Sequence, residues 1–388
     1  MIIDTTLIIL CGALLSIAIA SPFLSPFIRL KKEEHDVEKA DSELPPLSVL
    51  ITPHRQGPEL EKNVALILEQ DYPAPLEIII VVEKGDAESE DALKRLSSDK
   101  RVIGSFVPES SRYMSKKKLA ITLGVKASHY EWIMMTDASC APMGDQWLKT
   151  MARHCNDHSD FIIGYSNYCT NTSPFCRFEM LHTACYLYRE TSRGTAYRTN
   201  GTNLIFRKSL FVDGDGYRGN LDICRGEYDF LVNKYAQKGR TVVELSPAAW
   251  MIDEKTTKRI LRGKDICYIH TRKFLKRKIS HRLLPLLDMT AKLLTWTLIL
   301  TTLFYAIIDM LSQGPMPANI ILVATIAIAF AINCILSSIT AKPVLKYFDT
   351  RHSIWRVPFY EIRLFWHRIY TLLRYWKSDK TDYTTHKL

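Results

Sequence analysis

Three short polar clusters each follow an apolar run early in the chain: Pro53-His54-Arg55, Glu83-Lys84-Gly85-Asp86 and Asp137-Ala138-Ser139. Their carboxylates, cations and imidazole have the chemistry to hold a charged ligand. In a sheet of alternating strands and helices, ligands gather outside the carboxyl ends of the strands, and that rule selects the same three places. An acid after a strand also serves as a helix cap or turn former, so each cluster alone is ambiguous. Together on one edge they make a site.

Other chemistry-bearing patterns carry less. Gly214-Asp-Gly-Tyr-Arg-Gly219 spells GxGxxG, but a dinucleotide fingerprint needs a strand before it and a helix after it; a flexible loop is the simpler reading. His154 and His158 flank Cys155 and resemble a metal set only superficially; an exposed helix end is expected there. The nine cysteines are odd in number and form no CxxC, which excludes a disulfide framework and suits reduced thiols in a cytoplasmic domain.

The elements that position the three clusters can be read from periodicity. Residues 47–52 form a short apolar run ending at Pro53, a buried strand. Residues 60–70 place apolar side chains at Leu60, Val64, Ile67 and Leu68, one face of a helix that Asp71-Tyr72-Pro73 ends. Strands follow at 77–82, 102–107 and 132–136, with helices at 89–96 and 117–127 between them. This alternation predicts an α/β fold, a doubly wound sheet with helices on both faces.

Apolar segments flank this polar middle. Residues 2–30 are apolar apart from Asp4 and Arg29, enough to cross a bilayer. The leader lacks the positive charge of a signal peptide, so a retained anchor is expected. Residues 283–311 and 320–341 read as a hairpin of two further spans. Lys31 and Lys32 follow the first span, Lys276, Arg277, Lys278 and Arg282 precede the second, and Lys342 and Lys346 follow the third. The positive-inside rule then places the N-terminus outside and the middle domain and C-terminus in the cytoplasm. The net charge is +10, its excess largely after residue 250. Because the basic run abuts an apolar span, it points to a membrane surface. No strand interleaves rings and bases as a nucleic-acid binder's would. In 342–388, Trp355, Phe359, Trp366, Tyr370 and Trp376 alternate with Arg351, Arg356, Arg363, Arg368 and Arg374, suiting an interfacial amphipathic helix. The expected organisation is an anchor at 1–30, a domain at 45–255, a basic segment at 256–282, a hairpin at 283–341 and an interfacial tail.

Several motifs together resemble the family 2 glycosyltransferases of the GT-A fold, in particular membrane-bound bacterial ones. They are Leu47-Ser-Val-Leu-Ile-Thr-Pro53, Leu68-Glu-Gln-Asp-Tyr-Pro73, Glu77-Ile-Ile-Ile-Val-Val-Glu83, Lys117-Lys-Leu-Ala120 with Gly124, and Trp132-Ile-Met-Met-Thr-Asp-Ala-Ser139. Gly201-Thr-Asn-Leu-Ile-Phe-Arg-Lys208 and Gly226-Glu-Tyr-Asp-Phe230 follow in family order. The resemblance implies transfer of a sugar from a nucleotide-sugar donor to a lipid-linked or polysaccharide acceptor, with inversion, at the inner membrane of a bacterium. It implies that Pro53, His54, Glu83, Lys117 and Asp137 bind the donor, Glu83 at the base or ribose and Lys117 near the phosphates. Asp137 matches the first acid of the DxD motif, which helps hold Mg²⁺ or Mn²⁺.

The departures from the family are specific. Ser139 replaces the second DxD acid, and a neutral hydroxyl is a weaker ligand for a hard cation, so metal binding is weakened or assisted by another group. Tyr228 stands where the family has its catalytic aspartate. Glu227 and Asp229 flank it, and neighbours on a helix point about 100° apart; Asp229 is preferred as the base. The family's acceptor motif should fall at Lys264-Asp-Ile-Cys-Tyr268, but its glutamine and arginine are gone, with His270 and Arg272 as partial stand-ins or simply part of the basic face. These substitutions motivate an alternative in another class: a non-catalytic partner or scaffold of an active transferase.

Overall fold

The computed structural model describes residues 5–29, 41–108, 115–254, 256–314, 316–348 and 353–379. Lys31, Lys32 and Arg351, used above for orientation and for the tail, lie outside them. The chain divides into two compact units: Met1–Leu30 with Arg277–Tyr370, and Lys31–Lys276 with Thr371–Leu388.

The second unit is built on a seven-stranded sheet in the order β3-β2-β1-β4-β8-β6-β9. Its strands are β1 (Leu47–Ile51), β2 (Leu76–Glu83), β3 (Val102–Val107), β4 (Trp132–Thr136), β6 (Phe161–Gly164), β8 (Leu204–Arg207) and β9 (Thr241–Glu244). β1 runs parallel to both β2 and β4, and β2 to β3, while β8 is antiparallel to β4 and β6. The sheet is therefore mixed. β1 reads Leu-Ser-Val-Leu-Ile with every residue buried, as a central parallel strand covered on both faces must be. Alternate residues on one face, among them Val49, Ile80 and Met134, pack with Leu60, Val64 and Ile67 of α2 (Gly57–Leu68), Leu93 of α3 (Ala87–Leu96) and Trp147 of α5 (Trp147–Ala152). α4 (Lys116–Ala127) covers the other face. It lies so close that a Cβ on Gly124 would come within 2.2 Å of Leu50 Cδ1.

A second, three-stranded sheet pairs β5 (Cys140–Pro142) with β10 (Met251–Asp253) and β10 with β7 (Ser166–Tyr168). Around the sheets lie α6 (Pro174–Arg193), α7 (Lys208–Asp213), α8 (Glu227–Tyr235) and α9 (Lys258–Thr271).

The first unit contains α1 (Thr5–Ala20), α10 (Ser280–Gln313) and α11 (Pro317–Tyr347). Among the described residues these are the helical segments long and apolar enough to cross a membrane. The first is shorter than residues 2–30 suggested: the α-helix stops at Ala20 and continues as two 3₁₀ turns. Pro22 and Pro26 cause this, since each lacks the N–H that would continue the ladder. Ala18, Ala306 and Ala329 are fully buried between the helices, and small residues permit such close approach in membrane proteins. Leu300, Phe304 and Ile328 are exposed. Asn333 Nδ2 donates to Ala18 O (3.0 Å) and Ser21 Oγ (2.9 Å), and Lys292 pairs with Asp288 (2.7 Å) and Glu361 (2.5 Å). Along α12 (Val357–Lys377), Phe359, Trp366, Tyr370 and Trp376 are exposed.

Candidate active site

The first turn of α4 puts Lys116, Lys117 and Lys118 at a helix N-terminus, where the helix dipole disfavours cations. Each is held by a specific acceptor. Lys116 Nζ contacts Glu83 Oε1 at the end of β2, and Lys117 Nζ donates to Asp137 Oδ1 just beyond β4 at 2.7 Å. Lys118 is buried and donates to the carbonyls of Asn220 and Ile223. Strand register explains why the two acids meet one helix. Ile51 of β1 aligns with Ile80 of β2 and Thr136 of β4, so Glu83 and Asp137 both project past the end of β1.

Pro53 is buried at that end, and His54 is exposed with Nδ1 3.7 Å from Glu83 Oε2. Pro53, His54, Glu83, Lys117 and Asp137 thus share one edge of the sheet. Burial raises the Asp137 carboxyl, but Lys117, with Lys264 and the Tyr228 hydroxyl, more than offsets it and leaves the group below the usual aspartate range. The same pair holds Lys117 above the usual lysine value against its own burial.

Ser139 is drawn to the other side by the small sheet. Cys140 pairs with Asp253 in the β5–β10 ladder, and Ser139 Oγ donates to Asp253 Oδ1 at 3.1 Å. Lys264 of α9 reaches the second oxygen of Asp253 at 2.5 Å. Burial lowers the Lys264 ammonium, and Asp253 and Asp137 more than restore it, so it sits above the ordinary lysine value. A carboxylate therefore stands beside the Ser139 hydroxyl. Asp253 was missed in the sequence, although Trp250-Met-Ile-Asp253 shows the same signal, an acid closing a short apolar run, that marked Glu83 and Asp137.

A divalent cation prefers open carboxylates. Here Asp137 already accepts from Lys117 and Tyr228, and Asp253 from Lys264 and Ser139. To use them a cation would have to displace two ammonium groups or add its charge to theirs.

The first turn of α8 carries Glu227, Tyr228 and Asp229, and helical geometry sends them three ways. Tyr228 donates its phenol to Asp137 at 3.1 Å, and burial followed by that carboxylate raises it well above the usual tyrosine value. Glu227 is buried and interacts electrostatically with Lys117 and Lys118. Asp229 accepts from the Thr199 amide at 3.2 Å, beside Arg198. Its burial outweighs Arg198 and raises its carboxyl above the usual aspartate value. The Arg198 guanidinium in turn lies 3.9 Å from the Tyr268 ring centroid. A guanidinium thus meets the aromatic ring of 264–268 from a distant segment.

Three sequence readings are corrected. His154 is not on an exposed helix end: it is 2% exposed, its Nε2 2.6 Å from Glu244 Oε2; His158 alone is exposed. His270 is not part of an exposed basic face, because it is buried with Nδ1 3.1 Å from the Tyr375 hydroxyl. The GxGxxG segment is a tied turn and not a loose loop. Asp215 and Gly216 adopt left-handed backbone there, and Lys234 and Tyr235 of α8 bind the carbonyls of Gly214 and Gly216.

No family model matches the sequence, and a comparison with curated proteins finds no match. The fold is similar to that of the mannosyltransferase PcManGT from Pyrobaculum calidifontis, solved in complex with GDP-Man and Mn²⁺. The TM-score is 0.52 at 17% identity, covering 88% of this chain and 99% of that one. At that identity the likeness is one of fold.

Proposed function

We propose that this protein is a membrane-bound glycosyltransferase of the family 2, GT-A type. It moves a sugar, with inversion, from a nucleoside-diphosphate donor to a lipid-linked or polysaccharide acceptor at the cytoplasmic face of a bacterial inner membrane. The observation that carries this reading is the first turn of α4, whose Lys116 and Lys117 meet Glu83 and Asp137 at the carboxyl ends of β2 and β4. A helix N-terminus lined with lysines, at the edge where open α/β sheets take ligands, is suited to a diphosphate. The likeness in fold to a mannosyltransferase points the same way.

In this reading Glu83, with Pro53 and His54, faces the nucleoside, and Lys117 stabilises the charge that develops as the diphosphate leaves. Asp229 takes the proton of the acceptor hydroxyl. A general base serves best with a pKa near the working pH, and the raised carboxyl of Asp229 moves that way. The basic flanks Arg277, Lys278 and Arg282, with Lys342 and Lys346, favour a cytoplasmic domain. An amphiphilic acceptor would meet it at the membrane.

The test is turnover of UDP- and GDP-sugars by the full chain in detergent with membrane lipid extract, followed by release of UDP or GDP. Lipid-dependent release is expected for at least one donor. Complete failure to bind or turn over any of them would count decisively against the reading. One observation favours the second reading, a catalytically silent partner: at the family's base position stands Tyr228, closing over Asp137. Turnover by the unaltered chain rules that reading out.

A further inference from the structure

The two halves of the degenerate acidic motif each carry a lysine. Lys117 sits on Asp137 and Lys264 on Asp253, with Ser139 bound to Asp253. The pairs belong to one electrostatic cluster, since Lys264 acts on Asp137 and the buried Cys140 thiol is raised by burial and then by Asp253 and Asp137. Two ammonium groups balance two carboxylates, which is the charge a divalent cation would otherwise provide.

On the basis of the donor reading above, we infer that Lys117 and Lys264 bind the donor diphosphate in place of a divalent cation, with Asp137 and Asp253 as the positioning residues that aim them. An ammonium has three donors, and one donor satisfies each aspartate. Both lysines remain reachable, with 34% and 43% of their side-chain surface exposed, so further N–H groups are available to phosphate oxygens. Lys264 is fixed from behind by Asp253 and by the Tyr168 ring, 5.6 Å away. The site thereby keeps positive charge without an open cation-coordinating set. The Asp-x-Ser departure is then one half of an exchange whose other half is Lys264.

The experiment measures UDP and GDP binding by calorimetry on the full chain in detergent, once in EDTA and once in excess MnCl₂. At least one nucleotide is expected to bind, with affinities in the two conditions within about twofold. Lys264→Gln is expected to weaken binding in EDTA about tenfold, the worth of one charge-assisted hydrogen bond, and Lys264→Arg to keep it within about threefold. Because Lys264→Gln bares the Asp253 carboxylate, Mn²⁺ should restore part of the loss in that variant alone, an effect a merely structural lysine would not produce. Binding by the unaltered chain that vanishes in EDTA and returns with Mn²⁺ overturns the inference and leaves the donor reading standing. A Lys264→Gln variant that binds like the parent also overturns it. No binding of either nucleotide in either condition overturns both.

Discussion

The Tyr228 hydroxyl and the Lys117 ammonium share a single oxygen of Asp137, at 3.1 Å and 2.7 Å. Tyr228 is thus tied to the same carboxylate as the lysine proposed to face the donor, and Asp229, the base in that proposal, lies on the same helical turn.

Replacing Tyr228 separates these functions. Tyr228→Phe removes one buried hydrogen bond, about 1 kcal/mol, and should lower the thermal midpoint of the full chain by a few degrees while weakening nucleotide binding only slightly. Tyr228→Asp sets a second carboxylate against Asp137. Like charges in a buried site are unfavourable, so a larger drop, roughly 5 °C or more, is expected in place of any gain in turnover.

Asp229 and Glu227 should part in kinetics. Asp229→Asn is expected to reduce kcat about a hundredfold, as loss of a general base does, and leave donor KM near the parent value. Glu227→Gln, which changes the field around Lys117 and Lys118, should act mainly on donor KM. Because the Asp229 carboxyl is raised by burial, the active, ionised form fills only above a pH higher than the usual aspartate value. The acid limb of the rate profile should lie there and disappear in Asp229→Asn. The same sign means that the folded state holds this proton more tightly than the unfolded chain, so this group favours folding as the pH falls.

His154 and Glu244 make a contrasting pair. Burial raises Glu244, and His154 and Ser246 outweigh it, leaving the carboxyl below its usual value. Its contribution to stability is therefore present above the ordinary glutamate value and is lost as the pH falls through the lowered one. His154→Leu strands a buried carboxylate and should cost about 3 kcal/mol, seen as a lower thermal midpoint at neutral pH that Zn²⁺ does not restore.

Gly124 sets the height of α4 over the sheet. Gly124→Ala puts a methyl group against the buried Leu50 and Val81. Overpacking of this kind costs roughly 1–3 kcal/mol, and a helix lifted here carries Lys116 and Lys117 away from Glu83 and Asp137. Stability and nucleotide affinity should fall together; an unchanged affinity would show that the height of α4 does not matter to the site.

Much of this molecule is written locally in its sequence. The strands β1 to β4 are short apolar runs between turn formers, α2 and α4 are apolar faces at helical spacing, and the apolar lengths of α10 and α11 stand out by composition. From these alone follow the α/β alternation, the edge on which Glu83 and Asp137 lie, and the segments able to enter a bilayer. Each signal is complete within a window of one element, because backbone periodicity and turn chemistry act between near neighbours. Tertiary pairing decided the rest. Ser139 meets Asp253 across 114 positions, through a β5–β10 ladder too short to announce itself, and Lys264 arrives on a separate helix. Helical geometry already said that Glu227, Tyr228 and Asp229 must diverge. Which of them faces Asp137 depended on how α8 is rotated against the sheet, and that rotation is set by side chains packed from distant parts of the chain.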